Sequence, residues 1–345
     1  MRAAVLREYN ADLAIETVSL PACEADGVIL KTLACGVCRS DWHGWTGEHP
    51  RVKPGQIQGH EYCGEVVEAG PLAPWKVGDR LVAPFILACG KCPACQSGHQ
   101  NTCPDQRLPG FVEPGAFAEF VSVPFSHNLA RLPRTMTPTV AAALGCRATT
   151  AWHALTGRAD LHAGEWLAIH GTGGIGLSTL LIAKALGARV VVVDIVQEKL
   201  DHALSLGADA AIDARAGDTA GAIRDVTGGG AHVSVEAIGI AQTTNASIEC
   251  LRPLGRHVQV GMPVGHTAFM EINMNAVYMK NLALFGTRGM PSWRYPSLLA
   301  LIEQGAVDFS PLVAREIPLS GASAELRAFN GPTPPGVAVI TDFLH

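Results

Sequence analysis

The 345-residue chain has no apolar run approaching the roughly eighteen residues needed to cross a bilayer. Its first residues, MRAAVLREYNADLAIE, lack the long apolar core and small-residue cleavage site of a secretory signal, so a cytoplasmic location is expected. Charged residues make up only 17%, and the formal net charge of −5 is spread along the chain, which argues against a polyphosphate or nucleic-acid partner. Low-complexity segments and repeat periods are absent as well. Apolar residues, at 48%, suffice for large cores, and the length favours two domains. Cysteine is plentiful: ten in a chain expected to sit in a reducing compartment point to metal or catalysis rather than disulfides.

Four of them crowd into CGKCPACQSGHQNTC, residues 89–103. The spacing of Cys89, Cys92, Cys95 and Cys103 is C-x2-C-x2-C-x7-C, with Gly90, Pro93 and Gly98 forcing turns that aim amide N–H groups at sulfur. One Zn²⁺ with four thiolates fits, and with every position filled such a zinc is structural. A four-iron cluster is the rival, but its motif closes with a shorter last gap, C-x3-C-P; Cys103-Pro104 echoes the ending without the spacing. A redox role, or none, is the third reading.

Three more candidate ligands lie far apart: Cys38 in CGVCRSDWHG, His60 in GHEYCGEVVEAG and Cys146 in LGCRATTAWHAL. Singly each is weak, because an isolated buried cysteine is usually a small hydrophobe; Cys23, Cys35, Cys63 and Cys250 are read that way. Taken with GVCRSD, GHE, KVGDR (76–80), the cysteine lobe and GTGGIG (171–176), the set resembles the zinc-dependent medium-chain alcohol dehydrogenases over nearly the whole chain. That resemblance implies a catalytic zinc held by Cys38, His60 and Cys146, with Glu61 as an exchanging ligand and Asp41 holding the His60 ring. It also implies a proton relay from Ser40 to His43. Phe85, Trp45, His49, Thr150 and Met262 are expected at the substrate pocket.

The segment GEWLAIHGTGGIGLSTLLIAKALGARVVVVDI (164–195) reads as strand, glycine turn, helix and strand. Gly171, Gly173 and Gly176 follow an apolar strand and open a helix, and RVVVV then ends on Asp194, eighteen residues after Gly176. This is the context that a dinucleotide fingerprint requires. Asp194 could accept both hydroxyls of an adenosine ribose and would repel a 2′-phosphate, and Ile195 after it offers no cation, so NAD is favoured over NADP. By resemblance Arg39, Thr150, Gly174, Ile175, Lys199 and Val260 complete the cofactor contacts. One departure stands out: where the family often carries an arginine before its last strand, this chain has Val337 in PPGVAVITDF, leaving Arg39 or the loop near Arg288 to supply charge.

Further β–α units at 203–213, 232–239 and 255–262 imply a doubly wound parallel sheet. The expected fold is α/β, with a Rossmann NAD-binding domain at 149–285 inserted into a β-rich, GroES-like catalytic domain of 1–148 plus 286–345 that carries the structural zinc lobe. The expected function is a zinc- and NAD-dependent alcohol dehydrogenase acting on primary or secondary alcohols, and by resemblance a homotetramer or dimer. A polyol or other hydroxy-compound dehydrogenase is the alternative on the same fold. A zinc-free reductase leaves Cys38, His60 and Cys146 unexplained. A nucleic-acid-binding zinc ribbon lacks a basic face, since the cysteine loop carries only Lys91. A thiol redox sensor would keep its function without metal.

Overall fold

A computed structural model describes residues 1–331 and 333–345. Strand Trp166–His170, the glycine turn and helix Gly174–Ala185 form the first unit of a six-stranded, all-parallel sheet. In sequence order its strands are Trp166–His170, Arg189–Asp194, Ala210–Asp213, Ala231–Glu236, Leu251–Gln259 and Ala283–Gly286; in space they run third, second, first, fourth, fifth, sixth. The reversal of order beside the first strand is the crevice in which such sheets bind ligands. Both faces are covered, as parallel sheets require. Leu167, Ile169, Val190 and Val192 pack into one core, whereas Ala168, Val191 and Val193 pack into another on the opposite face.

The second sheet joins sequence that lies on either side of the first. It runs Val313–Pro318, Val337–Asp342, Val28–Gly36, Glu61–Ala69, Arg80–Val82 and Ala130–Arg131, with Phe120–Val123 also paired to Val28–Gly36. Val339 and Ile340 pair antiparallel with Gly36 and Cys35, so the last strand returns to the sheet built by the chain's beginning. The expected GroES-like, β-rich unit and doubly wound unit are both present. Helix Arg147–His153 connects them: it starts directly after Cys146 and is buried along its whole length. No helix among the described residues is long and apolar enough to cross a membrane.

The cysteine lobe, residues 89–103, has little core of its own. Cys92, Cys95 and Cys103 are buried with Ala88, and only Cys89 and Ala94 pack around them. The lobe is tied to the rest by Trp293, whose Nε1 donates to the Gly98 carbonyl (2.8 Å), and by Asn101, whose amide donates to that of Arg288 (3.1 Å).

Candidate metal centres and dinucleotide cleft

Two groups of side chains converge as metal ligands would. The first is Cys89, Cys92, Cys95 and Cys103, whose sulfurs all lie within 4.8 Å of one another. Three of the separations are 3.4 Å (Cys92–Cys95), 3.8 Å (Cys92–Cys103) and 3.5 Å (Cys103–Cys89). A tetrahedron with metal–sulfur bonds of about 2.3 Å has edges of about 3.8 Å, so one zinc fits the space. A four-iron cube would hold its cysteines further apart, and the thiols are free rather than bridged. The glycine turns act as expected: Gly90 and Gly98 take φ of 76° and 85°, and the Cys89 amide points at Cys103 Sγ (3.4 Å). The Lys91 amide, helped by that of Cys92 and opposed by partial desolvation, pulls the Cys89 thiol down to about 7.

This geometry carries a prediction. Because the sulfurs are themselves the lobe's core, Cys95→Ser should remove the metal and unfold the lobe, costing about 4 kcal/mol or more of stability. Thermal melting and limited proteolysis should report both, with cleavage confined to residues 89–103. A variant that melts like the unaltered protein would argue against a metal-built lobe.

The second group is Cys38, His60, Glu61 and Cys146, with all ligand atoms again within 4.8 Å. Cys38 is the cap of the short helix Arg39–Trp45, His60 and Glu61 enter strand Glu61–Ala69, and Cys146 caps helix Arg147–His153. His60 is fully buried, and its Nδ1 meets Asp41 Oδ1 at 2.9 Å. The same carboxylate accepts the amides of Gly59 (3.2 Å) and Cys38 (3.0 Å), so it fixes both the ring and the backbone that presents the thiol. His60 Nε2 and Glu61 Oε1 are buried without any hydrogen-bond partner. An orphaned imidazole nitrogen between two sulfurs is costly unless something cationic occupies the gap. A hydrogen bond from Cys146 outweighs burial and holds the Cys38 thiol well below its usual range. The residues therefore fit a metal.

Glu61 has a second attachment. Its Oε2 is in contact with Arg147 Nη2, and both side chains are almost fully buried. Burial pushes the Glu61 carboxyl up to about 7, although the guanidinium beside it works in the other direction.

Both the second group and the glycine turn face one cavity of about 1180 Å³. At one end stand Asp194, Ile195, Lys199 and residues Gly171–Ile175; at the other stand Cys38, His60, Cys146, Phe85 and Phe111. Gly171 takes φ of 96°, and a Cβ on Gly173 would meet nothing within 4 Å, so the turn leaves room for a ligand at the helix start. Gly176 stands behind the wall rather than on it: a Cβ there would overlap the Gly171 carbonyl oxygen, so this glycine is needed for packing and not as a ligand contact. Asp194 is held by four donors, Thr172 N (2.9 Å) and Oγ1 (2.7 Å) on one oxygen, Ile195 N (2.8 Å) and Val196 N (3.1 Å) on the other.

The remaining sequence-predicted residues divide. Arg39, Ser40, His43, His49, Phe85, Thr150, Lys199, Val260 and Met262 all line the cavity. Asp41 does not, and reaches it only through His60. Trp45 is a core residue, 2% exposed, with Nε1 donating to the Ala11 carbonyl (2.6 Å), because its helix turns that face inward. Arg288, in the loop expected with Arg39 to supply the charge missing at Val337, also lines the cavity, where it bonds Gln106 and lies over the Phe85 ring. Sequence reasoning misses Arg147, since a single arginine in an Ala/Thr-rich helix carries no pattern. It also misses Leu108 and Phe111, which wall the apolar end from an irregular loop with no periodicity to betray them.

Comparison with known proteins places this geometry among relatives. Residues 24–134 match the alcohol dehydrogenase GroES-like domain model, and residues 174–304 match the zinc-binding dehydrogenase model. The chain is 36% identical to an alcohol dehydrogenase of Geobacillus stearothermophilus, over 84% of its own length and 85% of the relative's. Among solved structures, the alcohol dehydrogenase TADH from Thermus sp. ATN1 superposes with a TM-score of 0.92 at 29% identity, covering 99% of this chain and 100% of that one. A chain from Sinorhizobium meliloti 1021, assigned as a zinc-binding dehydrogenase and solved with NADP, superposes with a TM-score of 0.87 at 28% identity over 99% and 98%.

Proposed function

The chain belongs to the zinc-dependent medium-chain alcohol dehydrogenase family, and from that premise we propose that it moves a hydride between the carbon of a primary or secondary alcohol and the nicotinamide of NAD, with one zinc for chemistry and one for structure. The observation that carries the reading is a single cavity with a dinucleotide turn at one end and, at the other, an orphaned His60 Nε2 among two sulfurs. The corresponding domains are residues 1–148 and 286–345 for catalysis and 149–285 for the cofactor, with helix Arg147–His153 crossing the first boundary.

Cys38, His60 and Cys146 would hold the catalytic metal, which as a Lewis acid makes an alcohol a stronger acid and a carbonyl a better hydride acceptor. Asp41 keeps the His60 proton on Nδ1, leaving the Nε2 lone pair toward the sulfurs. Glu61 stands beside them as a fourth donor, tethered by Arg147. The Ser40 hydroxyl, 3.9 Å from Cys38 Sγ, would take the alcohol proton. His43 would pass it outward: burial keeps this imidazole below its usual pKa, so it is neutral and able to accept, and Glu48 steadies its Nδ1 at 2.7 Å. Asp194 would receive the adenosine ribose, and the amides of the glycine turn the phosphates.

The substrate end has an apolar wall beside a polar edge, where Arg288 lies over the Phe85 ring and is bonded to Gln106. Phe85, Phe111 and Leu108 form its wall, His49 stacks on Phe111 with centroids 4.8 Å apart, and burial pushes His49 down to about 4, so it adds no charge at neutral pH. An apolar alcohol suits this wall better than a polyol. The test is a panel of primary alcohols, secondary alcohols and polyols with NAD and NADP, combined with elemental analysis. Two zinc ions per chain and turnover of apolar alcohols with NAD are expected. Iron in the protein, or turnover confined to polyols, would contradict the corresponding part.

A homo-oligomer is the further expectation. The last strand, Ala283–Gly286, is an edge of the six-stranded sheet. In the strand and the segment that leads into it, Phe269 (97% exposed), Met274, Tyr278 (79%), Met279 and Leu284 stand in solvent. Large exposed apolar side chains so concentrated in one stretch of sequence, leading into an edge strand, suit an interface. Sedimentation at micromolar concentration should give a dimer or tetramer, and Phe269→Glu with Tyr278→Glu should shift it toward monomer. The localisation expected is cytoplasmic.

A further inference from the structure

The cations around the cleft are mostly committed to other groups. Arg39 donates to the Phe329 carbonyl (2.8 Å) and lies over the Trp42 ring, and Lys199 donates to Thr333 (3.1 Å). Arg315 is paired with Glu325, and Arg288 with Gln106. Arg147 differs. It is 3% exposed, it forms part of the cavity wall, and among the described residues its side chain makes one hydrogen bond, to Glu61. A guanidinium has five N–H donors in a planar fork, so most of this one's capacity is unspent.

Its path across the cleft matters. A Cβ on Gly174, the first residue of the dinucleotide helix, would stand 3.5 Å from Arg147 Cδ, 3.9 Å from Nε and 3.5 Å from Val337 Cγ2. The stem thus runs past the helix start, between it and the strand that begins at Val337. The guanidinium then ends at Gly36, where any Cβ would overlap both Nη2 and Glu61 Oε2. The glycine at 36 leaves the space in which this long cation meets Glu61, and at Gly174 the stem lies at ordinary contact distance from the phosphate-binding turn. Glu61 and the Cys38 and Cys146 sulfurs offset the burial of this charge, but with one hydrogen bond made most of the N–H groups are unused, and a second anion in the cavity would complete the fork.

We propose that Arg147 is a cofactor-phosphate anchor: tethered by Glu61 at the wall between the glycine turn and the metal group, it takes the dinucleotide phosphate nearer the metal. This rests on the dinucleotide reading above and adds to it a residue that stands where Val337 leaves no charge. Phosphate and Glu61 then share one guanidinium, with the planar fork able to serve two anions at once.

Calorimetric titration with AMP and ADP-ribose separates the possibilities, since only ADP-ribose carries the second phosphate. In Arg147→Met, ADP-ribose should bind about 10- to 100-fold more weakly, the loss expected for hydrogen bonds between charged groups, while AMP binding stays within about twofold. Arg147→Lys should recover part of the loss. Removing Arg147 leaves Glu61 buried and unpaired, so the double variant Arg147→Met/Glu61→Gln is the control, and it should remain as weak for ADP-ribose as the single variant. Glu61→Gln alone should bind ADP-ribose as tightly as the unaltered protein or more so. If the double variant regains normal ADP-ribose binding, or Glu61→Gln weakens it as much as Arg147→Met does, the arginine serves only Glu61 and the proposal is overturned. If the unaltered protein binds neither ligand, the dinucleotide reading fails, and the proposal with it.

Discussion

Replacing His60 by alanine is expected to lower kcat/KM for alcohol oxidation by about a thousandfold or more while leaving the fold in place. The magnitude follows from what is lost: a Lewis-acid metal contributes several kcal/mol at the substrate oxygen, and each 1.36 kcal/mol is tenfold in rate. The fold should survive because the orphaned Nε2 already makes no bond within the protein, so its removal vacates no internal hydrogen bond there. Asp41 loses one of its three partners but keeps the amides of Gly59 and Cys38. Cys146→Ser should behave alike. Elemental analysis should find close to one zinc per chain in both variants, the one in the cysteine lobe. A variant that retains two zinc ions and near-normal turnover would remove His60 from the reaction.

The second large effect concerns cofactor choice. NAD should exceed NADP by about a hundredfold in kcat/KM, because a 2′-phosphate would face the Asp194 carboxylate and lose ribose hydrogen bonds, together a few kcal/mol. The carboxylate is fixed by Thr172, Ile195 and Val196, which hold its charge at the cavity rim. One cation counters it: Lys199 is close enough to feel Asp194, and feels Arg39 as well. Arg215, by contrast, is engaged by Asp213 and is not free to help. Asp194→Ala should narrow the preference, but it also strips four donors of their acceptor and loosens the turn, so its melting temperature must be measured alongside. Ile195→Arg, at a position 59% exposed on the cavity wall, leaves the turn intact and should narrow the gap by adding a cation. An unaltered enzyme that prefers NADP would show that Lys199 and Arg39, rather than Asp194, decide the nucleotide.

Much of the site is legible in the amino-acid order, for reasons specific to each motif. The cysteine lobe can be read because its ligands are local: four thiols within fifteen residues can close on one ion whatever the rest of the chain does. The glycine turn can be read because a dinucleotide cradle is a backbone device, and Gly171 and Gly176 are fixed by φ and by close packing rather than by distant partners. Cys38, His60 and Cys146 lie on three separate elements, and no spacing links them; only family resemblance brings them together. Trp45 shows the limit of that route, since a residue two positions beyond His43 turns into the core while His43 faces the cavity.

The two-part architecture, the closed cysteine site and the dinucleotide turn are encoded locally, because each depends on periodicity or on contacts a few residues apart. Which long side chains reach the cleft is a matter of tertiary packing. Arg147 follows a ligand in sequence, yet it meets Glu61, 86 positions away. That meeting depends on Gly145, just ahead of the helix, lying against the Glu61 backbone, and on the glycine at 36, where any Cβ would overlap the guanidinium. A flexible cation of this length could have turned to solvent. Burial on every side but one, with a single carboxylate in reach, is what aims it at the cavity, and no local pattern encodes that enclosure.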